Sequence, residues 1–193
     1  TYDRELQDKY RWIEYHKWKF KARTFTALSR GSKCLVLMTR VEFGILGHYN
    51  KYKKSPFDSY YMGGDGMSSY SSYETEYIAM RGYETGSLTP YDVSFGRNLG
   101  YVYNKYTLEL RYPVSLQPNA TIWLHAFAEA GNCFNQINKY NPFDLKRSAG
   151  VGVRIYLPMF GLMGIDWGYG FDSISGNTSY GGSHFHFVLG QEL

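Results

Sequence analysis

The sequence predicts an all-β protein built as an antiparallel barrel, and three observations carry that prediction. The first is composition. The 193 residues include 20 Tyr, 12 Phe and 21 Gly but only 6 Pro, and aromatic residues with Gly-rich connections favour strands over helices. The second is periodicity: seven segments alternate apolar and polar residues with the two-residue period of a strand. The third is the connections, which are tight at one end of the strands and longer at the other. The length suits one domain, so residues 1–193 are read together.

Residues 1–9 are polar and charged and read as the tail of a loop. Over 10–28, Trp18, Phe20, Ala22, Thr24, Thr26 and Leu28 share one face, and Lys17, Lys19, Lys21 and Arg23 the other. A short turn, Ser29-Arg30-Gly31-Ser32, leads into 34–49, where Leu35, Leu37, Val41, Phe43 and Ile45 oppose Arg40, Glu42 and Gly44. Two alternating strands joined this tightly make a hairpin. The connection from Asn50 to Val102 is rich in Gly, Ser and Tyr and has no sustained period. A connection that long is either functional or disordered. It contains Ile78-Ala79-Met80-Arg81-Gly82-Tyr83-Glu84, a basic residue beside glycine among apolar and aromatic neighbours, which suits a tip that docks.

Alternation resumes over 105–116, with Leu108, Leu110 and Tyr112 opposite Thr107, Glu109 and Arg111. The turn Gln117-Pro118-Asn119-Ala120 uses turn-favouring Pro and Asn. In 121–131, Ile122, Leu124, Ala126 and Ala128 oppose His125, Phe127, Glu129 and Gly131. A polar loop follows, then 145–157, with Ala149, Val151, Val153 and Ile155 against Ser148, Gly150, Gly152, Arg154 and Tyr156. After the turn Pro158-Met159-Phe160-Gly161, residues 162–171 set Met163, Ile165, Trp167, Tyr169 and Phe171 against Gly164, Asp166, Gly168 and Gly170. The loop 172–182 leads to a last strand, 184–193. There Phe185, Phe187, Leu189 and Leu193 oppose His184, His186, Gly190 and Glu192.

Each strand therefore has an apolar, aromatic face and a polar or Gly face. In a soluble sandwich the apolar face would meet a second sheet. In a transmembrane barrel it meets lipid, and the polar face lines the lumen. Strands of about ten residues, short turns on one rim, long loops on the other and aromatics near strand ends all match the barrel. Seven strands leave two open edges, which lipid does not tolerate. The chain is therefore expected to be part of a larger barrel, with further strands before Thr1.

Several function classes find no support. No apolar run reaches the roughly 20 residues of a transmembrane helix. The sequence has no signal peptide and does not begin with Met, as expected of a processed product or a fragment. The net charge is +4, with bases concentrated at Lys17, Lys19, Lys21, Arg23, Lys51, Lys53 and Lys54, but no nucleic-acid-binding module accompanies them. Cys34 and Cys133 lack metal-site spacing. Gly63-Gly64-Asp65-Gly66 lacks the further acids of a calcium loop and reads as a turn. His184, His186, Asp166 and Ser148 are hydrolase residue types, but no nucleophile motif surrounds any Ser. Asn119-Ala120-Thr121 and Asn177-Thr178-Ser179 fit the glycosylation pattern, incidental if the protein is bacterial. No cofactor, metal or catalytic residue is expected.

Family-like motifs appear at the end and in the long connection. His184-Phe185-His186-Phe187-Val188-Leu189-Gly190-Gln191-Glu192-Leu193 resembles the C-terminal strand of outer-membrane barrels, whose spaced aromatics and terminal apolar residue form a targeting signal. Gly63-Gly64 followed by Met80-Arg81-Gly82-Tyr83 resembles the Arg-Gly-Phe/Tyr loop of the BamA-type assembly factors. Tyr106 to Pro113, Phe127-Ala128-Glu129-Ala130-Gly131 and Gly164-Ile165-Asp166-Trp167-Gly168-Tyr169-Gly170-Phe171 resemble that family's closing strands. The resemblance covers most of the chain from about Tyr60 onward. The superfamily also includes TamA and the two-partner-secretion translocators.

The resemblance implies an even-stranded barrel of about sixteen strands, of which this chain supplies the last seven, with POTRA domains and earlier strands outside it. It implies the Gram-negative outer membrane and a periplasmic C-terminus. It implies an insertase that folds and inserts β-barrel proteins through a seam between first and last strands. Nascent outer-membrane proteins, accessory lipoproteins and outer-membrane lipid would be its partners, and nucleic acid would not. A secretion channel or passive pore of the same superfamily is the alternative; a soluble ligand-binding barrel is a third reading. With that polarity Cys34 and Cys133 fall at opposite rims, beyond the roughly 7 Å Cα separation a disulfide permits.

Alternation places Glu129 and Asp166, with Glu109 as a third acid, on the polar face beside Gly131, Gly150, Gly152, Gly164, Gly168 and Gly170. Glycines on a wall admit close approach of another segment, and a guanidinium pairs well with carboxylates. Alternation alone leaves two readings open: a socket for Arg81, or a solvated Arg81 with glycines that relieve barrel curvature. In the family the loop folds into the lumen and its Arg binds acids on the inner wall. The resemblance thus favours the socket, with Arg81, Gly82 and Tyr83 as the loop motif. It also marks Phe185, Phe187, Leu189, Gly190 and Leu193 as seam-strand residues, with Gly190 expected to let the strand end peel away. The lysine row 17, 19 and 21 is expected to line the lumen near a polar surface.

Overall fold

The computed structural model describes residues 13–31, 33–49, 55, 58–66, 74–93, 95–174 and 181–190. Strands β1 (Tyr15–Ala27) and β2 (Val36–His48) precede the long connection. Four short strands lie within it: β3 (Asp58–Met62), β4 (Glu74–Ile78), β5 (Tyr91–Asp92) and β6 (Arg97–Asn98). β7 (Val102–Gln117), β8 (Ala120–Phe134), β9 (Lys146–Leu157), β10 (Gly161–Gly170) and β11 (Ser183–Leu189) follow. The seven long strands form one antiparallel sheet in the order β1-β2-β7-β8-β9-β10-β11, with β1 and β11 at its edges among the described residues.

The register explains how alternating residues become a wall. Three rows on one face cross β7 to β11. Arg111, His125, Gly152, Asp166 and His186 form one, and Glu109, Phe127, Gly150, Gly168 and His184 the next. Thr107, Glu129, Ser148 and Gly170 form the third. The opposite face leaves large apolar groups open: Trp18, Phe20, Leu108, Phe185, Phe187 and Leu189 are each more than half exposed. An apolar surface this extensive marks contact with something other than water.

The core lies between one face of the long sheet and the long connection, not between two long sheets. Tyr60, Met62, Ile78, Met80, Tyr83, Leu88 and Leu99 from the connection pack on Leu46, Tyr103 and Cys133 of the wall. This corrects the expectation of a uniformly polar inner face. Met38, Leu46, Tyr103, Phe127 and Val188 point inward and are buried, because they meet protein. The connection is also less irregular than its sequence suggests, since β3 and β4 pair in parallel and β5 and β6 antiparallel.

Strand limits differ where alternation is a poor guide. β7 begins at Val102 and β8 runs to Phe134, beyond the expected 105 and 131, because that end is covered on both faces: Tyr101, Val102, Tyr103 and Asn104 are all buried. β7 carries a bulge between Pro113 and Ser115, where proline has no N–H for the ladder. β11 stops at Leu189. Gly190 takes φ 73°, and its N–H donates to the Leu162 carbonyl at 2.7 Å, one step beyond the Met163–Leu189 pair. Leu193, Lys51, Lys53, Lys54 and Asn177-Thr178-Ser179 lie outside the described residues, as does the expected start of β1 before 13. Cys34 and Cys133 are free thiols. The register sets Cys133 opposite Tyr103 and, through it, Gly44, at the far end of β2 from Cys34.

Candidate functional site: a loop docked on the inner wall

The tip of the connection is shaped by its own backbone before it reaches the wall. The Gly64 N–H donates to the Tyr83 carbonyl at 3.1 Å, and the Met80 N–H to the Gly64 carbonyl at 3.0 Å. The two halves of the motif, Gly63-Gly64 and Met80-Arg81-Gly82-Tyr83, are therefore adjacent in space. Gly82 adopts φ 86°, a left-handed conformation that costs a side-chain-bearing residue and is open to glycine.

Arg81 is fully buried. Its backbone N–H donates to Glu129 Oε2 at 2.9 Å, Nε to Glu129 Oε1 at 3.1 Å and Nη2 to the same oxygen at 2.8 Å. Nη1 donates to Asp166 Oδ2 at 3.0 Å and Nη2 to Glu109 Oε2 at 3.2 Å. The guanidinium carbon sits 3.6 Å from the centre of the Phe127 ring, where the π face adds attraction. Burial alone would pull the guanidinium's pKa down. The charges of Glu129, Glu109 and Asp166 more than reverse that, so the cation is held.

Each wall acid also has a cation of its own. Lys105 Nζ lies 3.2 Å from Glu129, Arg154 Nη2 2.6 Å from Asp166, and Arg111 Nε 2.7 Å from Glu109. His125 Nε2 lies 3.0 Å from Asp166 Oδ1. The wall is thus balanced without Arg81, which enters as a fourth cation among three carboxylates.

Two further contacts fix the tip. The Gly82 N–H donates to His186 Nε2 at 2.9 Å. The Tyr83 hydroxyl donates to the Arg147 carbonyl at 2.9 Å and accepts from the Asp172 N–H at 3.3 Å. Burial pushes this hydroxyl's pKa up to about 12, so it stays a donor. Of the wall glycines, Gly131, Gly168 and Gly170 make room for the loop: a Cβ there would meet Met62, Gly82 and Tyr83 respectively. Gly150, Gly152 and Gly164 instead make room for Phe127, His125 with Asp166, and Arg154.

The structure therefore brings together Arg81, Gly82, Tyr83, Glu129, Asp166 and Glu109. Phe185, Phe187 and Leu189 lie apart, on the outward face of the edge strand β11. His184, His186, Asp166 and Ser148 do not form a relay, since Asp166 is held by Arg154, Arg81 and His125 and His186 Nε2 by Gly82. Sequence reasoning passed over Phe127, His125, Lys105 and Arg154 as site residues, although alternation already put Phe127, His125 and Arg154 on the right face.

The match to known sequences now has a structural counterpart. The Omp85 superfamily domain matches residues 7–193. The chain belongs to the Omp85 superfamily. It is 33% identical over 131 residues to the outer membrane protein assembly factor BamA of Neisseria meningitidis serogroup B, an alignment covering 64% of this chain and 14% of that protein. Its fold is similar to the crystal structure of BamA from Haemophilus ducreyi lacking POTRA domains 1–3. The TM-score is 0.64 at 18% identity, covering 90% of this chain and 34% of that one.

This Omp85 domain holds its loop at a second place, with the charge signs reversed. Lys17 Nζ lies 3.0 Å from Asp58 and 3.2 Å from Glu76, and Lys19 also pairs with Glu76. The lysine row lies on the inner face: Lys17 and Lys19 grip the β3–β4 ribbon, and Lys21 pairs with Glu42 of the wall. Burial alone would raise the Glu76 pKa, but Lys19 and then Lys17 hold it below the usual glutamate range. A depressed carboxylate stabilises the docked ribbon above its ordinary pKa and loses that contribution as pH falls through the depressed value. These pairs are part-exposed and contribute about 0.2–1 kcal/mol each, screened by salt. Acidification below about pH 4, or molar salt at neutral pH, is therefore expected to raise amide exchange in 74–78 severalfold before it does so at 80–83. Glu76→Gln should remove that acid step. Equal sensitivity of both segments would contradict two separate holds.

Proposed function

We propose that this chain is the C-terminal barrel portion of an outer-membrane assembly factor that folds and inserts β-barrel proteins. The observation that carries the reading is the Arg81-Gly82-Tyr83 tip locked on Glu129, Asp166 and Glu109 within an Omp85 domain. The likeness to BamA supports assembly over secretion. In this reading the chain supplies the last seven strands of a barrel of about sixteen in the Gram-negative outer membrane, with its C-terminus in the periplasm.

The working element is β11. An edge strand presents unpaired N–H and C=O groups that template an incoming strand, and Phe185, Phe187 and Leu189 keep its outward face compatible with lipid. Nascent outer-membrane proteins are the substrates, accessory lipoproteins the partners, and no bond is made or broken. The docked loop braces the half of the barrel that ends in this strand. Leu189→Cys in the complete protein is expected to form a disulfide with a cysteine placed in a strand of an inserting barrel. Absence of any such crosslink during active insertion would sink the reading. A secretion pore would instead give no crosslink and a conductance raised by Arg81→Ala.

A further inference from the structure

Among the described residues, a buried polar contact joins the loop to the edge strand β11, and that contact assigns a role to His186. Gly82 donates its backbone N–H to His186 Nε2 at 2.9 Å. An amide nitrogen has only its hydrogen to offer, so Nε2 carries a lone pair and the ring proton sits on Nδ1. His186 is 5% exposed and registers with Asp166 on β10, so the imidazole lies in the same row as the Arg81 socket. Among the described residues β11 pairs with β10 alone. Its inner face therefore depends on what the loop presents.

We propose that His186 is a positioning residue that couples loop docking to the placement of the edge strand, so that the two are one equilibrium. The geometry allows little slack. A Cβ on Gly168, beside His184 in the register, would lie 2.8 Å from the Gly82 nitrogen, so the amide reaches the imidazole across a wall with no side chain between them. Gly82 follows Arg81 directly, so the socket that fixes Arg81 also aims the Gly82 N–H. If the tip leaves, His186 exchanges a donor held in fixed geometry for water, a net loss. If β11 swings away, the Gly82 N–H is orphaned inside the wall. Each movement therefore favours the other, as linkage requires.

The inference rests on the proposed role of β11 only for its biological meaning, since the coupling is a property of the folded protein. It is tested by hydrogen exchange on the complete protein in lipid nanodiscs, following 80–84 and 183–189 together. His186→Phe keeps an apolar ring and removes the acceptor. It is expected to raise exchange in both segments by about five- to tenfold. His186→Gln, which offers an amide oxygen, should return both to within about threefold of the parent. Arg81→Ala, a change remote from β11 in sequence, should release 183–189 along with 80–84. The proposal is overturned if Arg81→Ala frees the loop and leaves 183–189 unchanged. It is also overturned if His186→Gln behaves like His186→Phe. Insertion of a reporter barrel is measured in parallel: normal insertion by an uncoupled variant would count against the assembly reading of the latch and leave the coupling standing.

Discussion

Arg81→Ala is expected to release the loop tip from the wall while β7 to β10 stay folded. The guanidinium is fully buried and binds three carboxylates. Removing one member of a buried charge cluster typically costs about 3–5 kcal/mol when the remaining charges have no other partners. Here they do, because Glu129 keeps Lys105, Asp166 keeps Arg154 and Glu109 keeps Arg111. The loss therefore falls on docking, not on the wall. Amides of 80–83 should lose protection by on the order of a hundredfold, while the β7–β8 ladder exchanges as in the parent. Arg81→Lys should resemble Arg81→Ala more than the parent. An ammonium cannot reproduce the planar fork that reaches Glu129, Asp166 and Glu109 at once, nor lie flat on Phe127. Parent-like protection in Arg81→Ala would show that the apolar contacts of Met62, Met80 and Tyr83 hold the tip unaided.

The ion-pair geometry also shows why part of this site was legible in the sequence and part was not. The two faces of the sheet make opposite demands on successive residues of a strand, so period two announces which face Glu109, Glu129 and Asp166 occupy. That Arg81 docks among them came from the motif's resemblance to a family loop, since alternation alone left a solvated Arg81 equally open. The lysine clamp had no local signal at all. Lys17 meets Asp58 and Glu76, 41 and 59 residues away in a segment without periodicity, and a five-residue parallel ribbon is too short to register as a pattern. Phe127 was hidden differently. An aromatic on the polar face looks like noise until a guanidinium is laid across it. The end of β11 was misjudged because alternation runs through Gly190 unbroken, whereas the backbone turns there.

Gly168→Ala is the second change expected to be large, and it separates shape from charge. The added methyl would lie 2.8 Å from the Gly82 nitrogen and 3.2 Å from both the Arg81 carbonyl carbon and the Gly82 Cα. These are backbone atoms, so no rotamer relieves the contact. They are also pinned, because Arg81 is held by Glu129 and the Gly82 N–H by His186. Overpacking of this kind costs about 1–3 kcal/mol, and the loop is the part able to move. Loss of protection at 80–84 by about five- to a hundredfold is therefore expected, with every charge of the socket intact. If charge alone positioned the tip, Gly168→Ala would exchange as the parent does. The double variant Arg81→Ala/Gly168→Ala makes the distinction sharper. Once the tip has left, the new methyl has no loop backbone to strike, so the second substitution should add little to the first. Additive effects would place the cost of the methyl inside the sheet, because sites that act through one docking step are not independent.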